Sequence, residues 1–278
     1  YALRGDASLL PEVRSYRSFL EWLSVRDRAV SVKAWTTAFA GAEEPTVLSG
    51  VTDTSGVSTD TGRVEVVMDE KVTSELTDLG SRLGVTLSTI VQAAWGLVLA
   101  RQLGRDDVAF GGTVSGRPAD LEGVETMVGL FINTLPVRVR IDESDSIESF
   151  LLRLQEEQTA LLDHHYLGLA DITTAVGPGA VFDSITVLES YPVDEEGLKA
   201  AASIDGMAVT GAQVLDATHY PINVVTFADT QIRMTLRYLR DLFSDEYVSA
   251  LGSRLQAVFA AFATAPGAPV GRIETLLA

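Results

Sequence analysis

Apolar residues recur along this chain at two spacings, one typical of helices and the other typical of strands. Residues 14–39 have the helical spacing, and helices are also predicted over 71–83 and 86–103. The first of these segments has a single apolar stripe: Tyr16, Phe19, Leu20 and Leu23. The segment 86–103 is apolar on nearly every face, which is typical of a helix inside a core. Gly104 follows it in the position where a glycine usually ends a helix.

Strands are predicted where short apolar runs occur or where apolar and polar residues alternate. The segments are 63–69, 107–114, 134–141, 181–188, 222–228 and 231–239. In one of them the alternation predicts which side chains face inward (Leu135, Val137, Val139, Ile141) and which face outward (Arg138, Arg140). The short connection between the last two segments indicates an antiparallel hairpin.

Two more helices complete the pattern, and they point to the fold class. Asp145 and Glu148 resemble a capping box that opens a helix reaching about residue 163. Ser244 is predicted to cap a final helix. Mixed strands between helices predict a layered α/β fold, with a mixed β-sheet flanked by helices. Two stretches lie outside this pattern: 41–62, rich in Gly, Ser, Thr and Asp and predicted to be a surface loop, and 265–278, predicted to be an exit linker.

Composition narrows the possible functions. The net charge is −17 over 278 residues, which argues against sequence-independent nucleic-acid binding and against an anionic membrane surface. The chain has no cysteine, which excludes disulfides, thiolate nucleophiles and cysteine zinc sites. No apolar run approaches the roughly 20 residues of a membrane span. The first residues lack both Met and a signal-peptide apolar segment, so we expect the sequence to come from the middle of a longer polypeptide.

The three histidines are the first candidates for catalysis. His164 and His165 are adjacent, so on a helix they point about 100° apart and rarely bind one ion together. We interpret them as cationic groups near the C-terminal dipole of the preceding helix. His219 precedes Tyr220-Pro221 and is interpreted as a buried structural imidazole, with a general base as the alternative. The sequence has no nucleophile elbow, phosphate loop or dinucleotide-binding glycine fingerprint.

Several motifs, in one order, resemble the condensation domains of nonribosomal peptide synthetases. The segment "MVGLFINTLPVRVR" is similar to the Gly-x-Phe-(Val/Ile)-Asn-Thr motif of that family, through Gly129, Phe131, Asn133 and Thr134. It lies within "VAFGGTVSGRPADLEGVETMVGLFINTLPVRVRI" (108–141), which carries most of the likeness. The resemblance covers essentially the whole chain, and this first motif is the specific one.

Weaker motifs flank the first. "YRSFLEW" resembles Tyr-x-Asp-(Tyr/Phe)-x-x-Trp through Tyr16, Phe19 and Trp22, although Ser18 replaces the aspartate. "VFDSITVLESYPVD" is similar to a late motif through Phe182 and Asp183, and we interpret both groups as structural.

The catalytic signature of that family, His-His-x-x-x-Asp-Gly, is absent. After His165 the chain reads "YLGLAD", and Asp171 is followed by Ile172 rather than by glycine. The family places its signature before the "YRSFLEW" motif. The resemblance therefore implies that this chain is a C-terminal lobe whose catalytic N-terminal lobe is missing, that it contains no catalytic residue of its own and that, alone, it is inactive.

The resemblance also implies an architecture and a reaction. Each lobe is expected to be a chloramphenicol-acetyltransferase-like layered α/β lobe. A tunnel between the two lobes accepts the phosphopantetheine arms of carrier proteins, and the acceptor amine attacks the donor thioester. This lobe would supply one wall, a floor loop near 115–134 and a latch within 190–218. Tunnel contacts are expected from Gly116, Arg117, Gly129, Phe131, Asn133 and Thr134. For Asn133, an equal alternative is that it only satisfies the turn before a strand.

Domains and partners follow from the same resemblance. Residues 1–40 would continue from the upstream lobe, 63–264 would be the C-terminal lobe, and 265–278 would lead to an adenylation domain. Expected partners are peptidyl carrier proteins, the N-terminal lobe, the adenylation domain and a second copy joined by latch exchange. No covalent cofactor, metal, nucleic acid or membrane is expected, and the expected location is cytoplasmic. The alternatives are a non-catalytic docking module, or a lobe of a heterocyclization or epimerization domain.

Overall fold

A six-stranded mixed sheet forms the centre of the fold in the computed structural model, which describes residues 13–51, 56–58, 60–189, 220–228 and 230–276. Its strands are Thr61–Val67 (β1), Asp107–Val114 (β2), Asn133–Arg140 (β3), Ser184–Glu189 (β4), Ile222–Ala228 (β5) and Ile232–Leu239 (β6). Their order is β1-β6-β5-β4-β2-β3. The β2–β4 and β4–β5 pairs are parallel and the other pairs are antiparallel. The predicted hairpin of the last two strands is confirmed.

Eight helices are described around this sheet. They are Arg17–Ser24 (α1), Arg28–Ala38 (α2), Glu70–Leu83 (α3), Leu87–Leu103 (α4), Ile147–Thr159 (α5), Leu169–Val176 (α6), Asp245–Thr264 (α7) and Gly271–Leu276 (α8). Most of them begin at a polar side chain that accepts a backbone N–H, including Thr86 before α4 and Ser244 before α7. Gly104 ends α4 at φ 63°, as predicted. The predicted mixed sheet flanked by helices is therefore confirmed.

Helices pack on both faces of the sheet. Phe110 and Ala109 are neighbours in β2, yet Phe110 belongs to the main core and Ala109 to a second cluster with Trp35 and Leu167. Because successive strand residues point to opposite faces, the two clusters lie on opposite sides. The main core contains α3, α4, α5 and α7, and the second contains α2 and α6. Within α4, every residue from Thr89 to Ala100 is buried, as its sequence predicted.

The chain end corrects one prediction. Residues 265–273, predicted to begin an exit linker, pack on the start of α5 instead. The N–H of Ile147 donates to the carbonyl oxygen of Ala268 over 3.0 Å, and the N–H of Val270 donates to that of Asp145 over 2.8 Å. Val270 and Ile273 are fully buried in the main core. Burial of these two apolar side chains stabilises the packed conformation, although the glycines and prolines around them are typical of a linker.

Three smaller predictions were also wrong. Leu20 was placed on one apolar stripe with Tyr16 and Phe19 but is half exposed, because the side of α1 that packs inward runs through Tyr16, Phe19 and Trp22. The cap of α5 is Ser146, because the carboxylate of Asp145 is paired with Arg153 at 2.9 Å. Arg138 was predicted to face solvent, but helix α2 covers that face of β3 and leaves only 9% of its side chain exposed.

No single helix in the described residues has the length and apolar composition of a membrane span. Helices α3 and α4 pass that test only when taken together, across a bend of 110°.

Candidate functional site

The loop between β2 and β3, residues 115–132, is anchored at both ends. Gly116 has φ +62°, a left-handed conformation that favours glycine. A Cβ atom at this position would overlap the carbonyl oxygen of Phe131, so no other residue fits without moving the backbone. The two ends of the loop therefore pass each other at a backbone-to-backbone contact that requires glycine.

Arg117 ties the middle of this loop together. Its guanidinium donates to the carbonyl oxygen of Met127 from two nitrogens, each at 3.2 Å, and also to the carbonyl oxygen of Val124. The same group lies over the ring of Phe131, 4.1 Å from its centroid. The resemblance predicted a tunnel contact for Arg117, whereas these contacts are all within the loop.

Helix α1 fastens the outer part of the loop. The hydroxyl of Tyr16 donates to the carbonyl oxygen of Leu130 over 2.6 Å. The Tyr16 ring meets Phe131 edge to face at 5.1 Å, and Phe19 packs on Phe131 at 4.7 Å. The backbone of Gly129 lies against the Tyr16 ring, leaving no room for a Cβ. Two motifs more than 100 residues apart in the sequence thus form one aromatic cluster.

Trp22 extends this cluster and leads to an ion pair at the loop surface. It stacks on Phe19 at 5.9 Å, and the guanidinium of Arg26 lies 3.7 Å above its ring. Arg26 also pairs with Asp120 of the loop. The hydrogen bond from Arg26 holds the pKa of the Asp120 carboxyl below its usual value.

The other side of the loop is an exposed apolar surface. Met127 and Phe131 point inward and are 2% and 6% exposed. Between and after them, Val128, Leu130 and Ile132 point outward and are 78%, 77% and 54% exposed. We call these three residues the apolar ridge. Alternation within 127–132 is the signal of this ridge in the sequence, although the buried and exposed sides of the loop become distinct only in the fold.

Asn133 and Thr134 follow the loop in β3. The side-chain amide nitrogen of Asn133 donates to the carbonyl oxygens of His165 at 2.8 Å and Leu167 at 2.9 Å. Thr134 lies half-buried opposite Thr113 in the β2–β3 ladder. The Asn133 amide therefore holds the segment 165–167 against the sheet, and these bonds favour the structural alternative over a side chain directed at a ligand.

His164 sits in a hydrogen-bond chain that begins in α2. The hydroxyl of Tyr166 donates to the carbonyl oxygen of Asp27 at 3.1 Å, and buried Ser31 donates to Tyr166 at 2.6 Å. Ser31 Oγ is also 2.9 Å from His164 Nδ1. Since the one hydroxyl proton of Ser31 is used, the ring proton belongs on Nδ1 of His164. The indole of Trp35 donates to the carbonyl oxygen of His164 at 3.3 Å.

His165 is not the cation that the sequence predicted. Burial, with a smaller contribution from repulsion by His164, lowers the pKa of His165 to about 4. The ring is therefore neutral at pH 7. The preceding helix also ends at Thr159, so the pair is further from its C-terminus than the dipole effect reaches. The interpretation that placed a cationic pair at a helix end was wrong for His165.

Phe182 and Asp183 fix the segment that precedes β1. Asp183 is buried, and its carboxylate accepts the backbone N–H of Leu48 at 2.9 Å and of Ser49 at 2.7 Å. Phe182 forms a backbone bridge with Thr46 and stacks on Tyr220 at 5.7 Å. Part of the predicted surface loop 41–62 is thereby held against the start of β4.

A cleft of about 850 Å³ lies between α2, β3 and α5. Its lining includes the outer side of β3 and, at one end, His164 and His165. No single stretch of the sequence indicates this cleft, because it is formed by three elements that come together only in the fold. The described residues hold no cluster of His, Asp or Glu suited to a metal ion. Two predicted features, His219 and the latch within 190–218, lie outside the described residues.

Comparison with known proteins gives consistent results. A family model described as "Condensation domain" matches residues 1–278. A linear gramicidin synthase subunit from Brevibacillus parabrevis is 33% identical over 266 residues, which are 94% of this chain and 5% of that protein. Surfactin synthase subunit 3 of Bacillus subtilis (strain 168) is 30% identical over 265 residues, which are 95% of this chain and 21% of that protein.

Solved structures share the fold at lower identity. The first condensation domain of the CDA synthetase superposes with a TM-score of 0.75 at 20% identity, over 97% of this chain and 60% of that one. The X-domain from teicoplanin biosynthesis gives 0.72 at 22% identity, over 91% and 59%. The sequence thus spans about three fifths of each solved chain and a small part of each synthetase.

Proposed function

Because the chain belongs to the condensation-domain family of nonribosomal peptide synthetases, we propose that it is the C-terminal lobe of such a domain. In this proposal it supplies one wall and the floor loop of the tunnel in which peptide bonds form. The partners are carrier proteins whose phosphopantetheine arms present the donor thioester and the acceptor amine. The N-terminal lobe and a following adenylation domain complete the assembly, in the cytoplasm.

The loop 115–132 is the observation that carries this proposal. A tunnel floor must keep its shape while substrates enter and leave, since misplacement by about 1 Å is costly to a reaction between two bound groups. Gly116, Arg117 and Tyr16 fasten this loop at three separate points. Its one large apolar surface, the apolar ridge, is then left for a contact outside the loop. A rigid loop with an exposed apolar side is suited to a wall against a second lobe or a substrate chain.

In the proposed reaction, the side chains of this chain take no direct part in the chemical step. The acceptor nitrogen bonds to the thioester carbonyl carbon, the carbon–sulfur bond breaks, and the proton lost from the nitrogen passes through a general base to the sulfur that leaves with the donor arm. Nδ1 of His164 is engaged by Ser31, and the carbonyl oxygens of His164 and His165 are engaged by Trp35 and Asn133. Both residues hold the fold together, which fits a lobe that orients substrates while the other lobe carries the general base.

Complementation tests the proposal. The chain is mixed with a separately produced N-terminal lobe of a relative, with donor and acceptor carrier proteins loaded, and the peptidyl product is measured by mass spectrometry. We expect product only when both lobes are present. A general base typically contributes about 10²–10⁴-fold, so the chain alone should stay at the no-enzyme background.

Two variants sharpen this test. Leu130→Asp places a charge on the apolar ridge and should reduce product at least tenfold. Val67→Asp places the same charge on an exposed valine of β1, at the far edge of the sheet, and should leave product unchanged. Product from the chain alone, or equal activity of the two variants in the complemented reaction, would contradict the proposal. Binding of loaded carrier proteins without product in any combination would favour a non-catalytic docking module instead.

A further inference from the structure

We infer that the cleft between α2, β3 and α5 binds an extended acidic peptide segment of a partner protein, which adds a strand to the open edge of β3. This inference is independent of the condensation reaction. It rests on the hydrogen-bonding groups, the side walls and the charge of the cleft.

The outer edge of β3 has backbone groups available for pairing. The N–H of Ile141 donates to the carbonyl oxygen of Asp106 at 2.7 Å, and Val139 lies opposite Val108 in the same register. In an antiparallel ladder every second residue bonds to the neighbouring strand. Val139 and Val137 therefore bond to β2, and the alternate residues Pro136, Arg138 and Arg140 turn their backbone groups outward. All three line the cleft.

The number of free groups limits the length of the incoming strand. Arg138 offers an N–H and a carbonyl oxygen, Pro136 a carbonyl oxygen and Arg140 an N–H. The carbonyl oxygen of Arg140 already accepts Arg153 at 3.0 Å, and Pro136 has no N–H to offer. An antiparallel strand of about five residues would use every free group, with its third residue opposite Arg138. Strand addition of this kind derives its affinity from main-chain hydrogen bonds and its selectivity from alternating side-chain sites.

The two sides of the cleft are suited to small apolar side chains. Val30, Ala34 and Ala38 line it from α2, and Leu154 lines it from α5. A strand sends successive side chains to opposite faces, so it would place apolar residues against both.

The charge of the cleft differs from that of the whole protein. Its charged lining residues are Lys33, Arg138, Arg140 and Glu157, three cations and one carboxylate, in a chain of net charge −17. Arg138 pairs with Asp107 and Arg140 with Glu157. Within the described part of the chain Lys33 has no ion pair. Asp107, which pairs with Arg138, brings the local count to three cations and two carboxylates, so the excess is the single positive charge of Lys33. Because charges beyond about 8 Å are largely screened at physiological salt, this cation favours acidic side chains on the peptide.

Peptide titration followed by NMR tests the inference on the chain with ¹⁵N-labelled backbone. The probe is acetyl-Glu-Val-Thr-Val-Glu-amide, and the amides of Arg138 and Arg140 are the readout. We expect saturable shifts at these amides and weaker binding as NaCl is raised. Methylating the backbone nitrogens of Thr and the last Glu removes the two N–H groups that would pair with Arg138 and Pro136. That peptide should bind at least tenfold more weakly, whereas methylating the two Val nitrogens, which point away, should change affinity less than threefold.

Two protein variants separate the cleft from other surfaces. Ala34→Trp fills the cleft and should abolish the amide shifts. Ala250→Trp is the control: it makes the same change at a half-buried residue of α7 and should leave the shifts unchanged. Thermal unfolding of each variant verifies that it folds. The inference is overturned if no binding occurs at 5 mM peptide. A Kd of 5 mM corresponds to a binding free energy of only about 3 kcal/mol in magnitude. It is overturned equally if Lys-Val-Thr-Val-Lys binds as well as the acidic peptide, or if both methylated peptides bind alike, which would indicate a side-chain ligand without strand pairing.

Discussion

Replacing Asn133 distinguishes the two roles that the sequence left open for it. If Asn133 is structural, its substitution lowers stability, because its amide nitrogen bonds to the carbonyl oxygens of His165 and Leu167. If it acts only on a ligand, its substitution lowers activity and leaves stability unchanged. We expect the first result.

The magnitude follows from the two bonds. A neutral hydrogen bond contributes about 1 kcal/mol net, so Asn133→Ala should lower the free energy of unfolding by about 2 kcal/mol. Asn133→Asp keeps the shape but removes both donors and turns a carboxylate oxygen towards the two carbonyl oxygens, so it should cost about 3 kcal/mol. For a chain of this size, 2 kcal/mol corresponds to a fall of roughly 4–8 °C in Tm.

Urea unfolding, followed by circular dichroism, measures these changes. Thr134→Val is the matched control, because it alters the next residue of β3, whose hydroxyl has no hydrogen bond among the described residues, and it should change stability by less than about 0.5 kcal/mol. Hydrogen exchange around residues 164–167 should accelerate in Asn133→Ala alone. If Asn133→Ala and Thr134→Val are equally stable, the amide does not hold this segment and our reasoning about Asn133 is wrong.

Four further outcomes are expected. Gly116→Ala should lower the free energy of unfolding by about 3 kcal/mol, because it adds left-handed strain and a backbone overlap. Gly41→Ala, at φ +82° with open space around it, should cost only the strain, about 1 kcal/mol. Equal losses in urea unfolding would count against the overlap. Because the folded pKa of His165 is about 4, below its ordinary 6.5, its contribution to stability is complete above pH 6.5 and is lost as the pH falls towards 4; His165→Gln should flatten that slope, and an unchanged slope would refute it. Deleting 265–278 should lower the free energy of unfolding by about 4 kcal/mol, since it removes two buried apolar side chains, whereas loss of a free linker would cost nothing. In an intact parent domain, His164→Ala and His165→Ala should keep turnover within about tenfold, and a thousandfold loss with unchanged folding would make the pair catalytic.

Prediction from sequence succeeded where one element carried the whole signal. Helix α4 was predicted within a residue of its bounds, because its apolar character and its terminal Gly104 lie in one short stretch. The hairpin of β5 and β6 was predicted for the same reason, from two apolar segments and a short turn.

Prediction failed where the signal depended on a distant partner. The glycines and prolines of 265–278 are typical of a linker, and the local sequence does not show that Val270 packs into the main core beside α5. His165 looks like a cation until the fold buries it. At the candidate site, the motifs identified Tyr16 and Phe131 separately, and only packing joined them into one cluster.

The complete burial of α4 has a consequence for how this protein is made. On the ribosome, α4 emerges long before α7, which packs against it, and before the chain end that closes the same core. At 5–20 residues per second the delay is on the order of ten seconds. During that interval a mostly apolar helix lacks the cover that α7 supplies, so its apolar side chains are open to contact with a chaperone or a neighbouring surface. Expression yield should therefore respond to translation speed between residues 104 and 245.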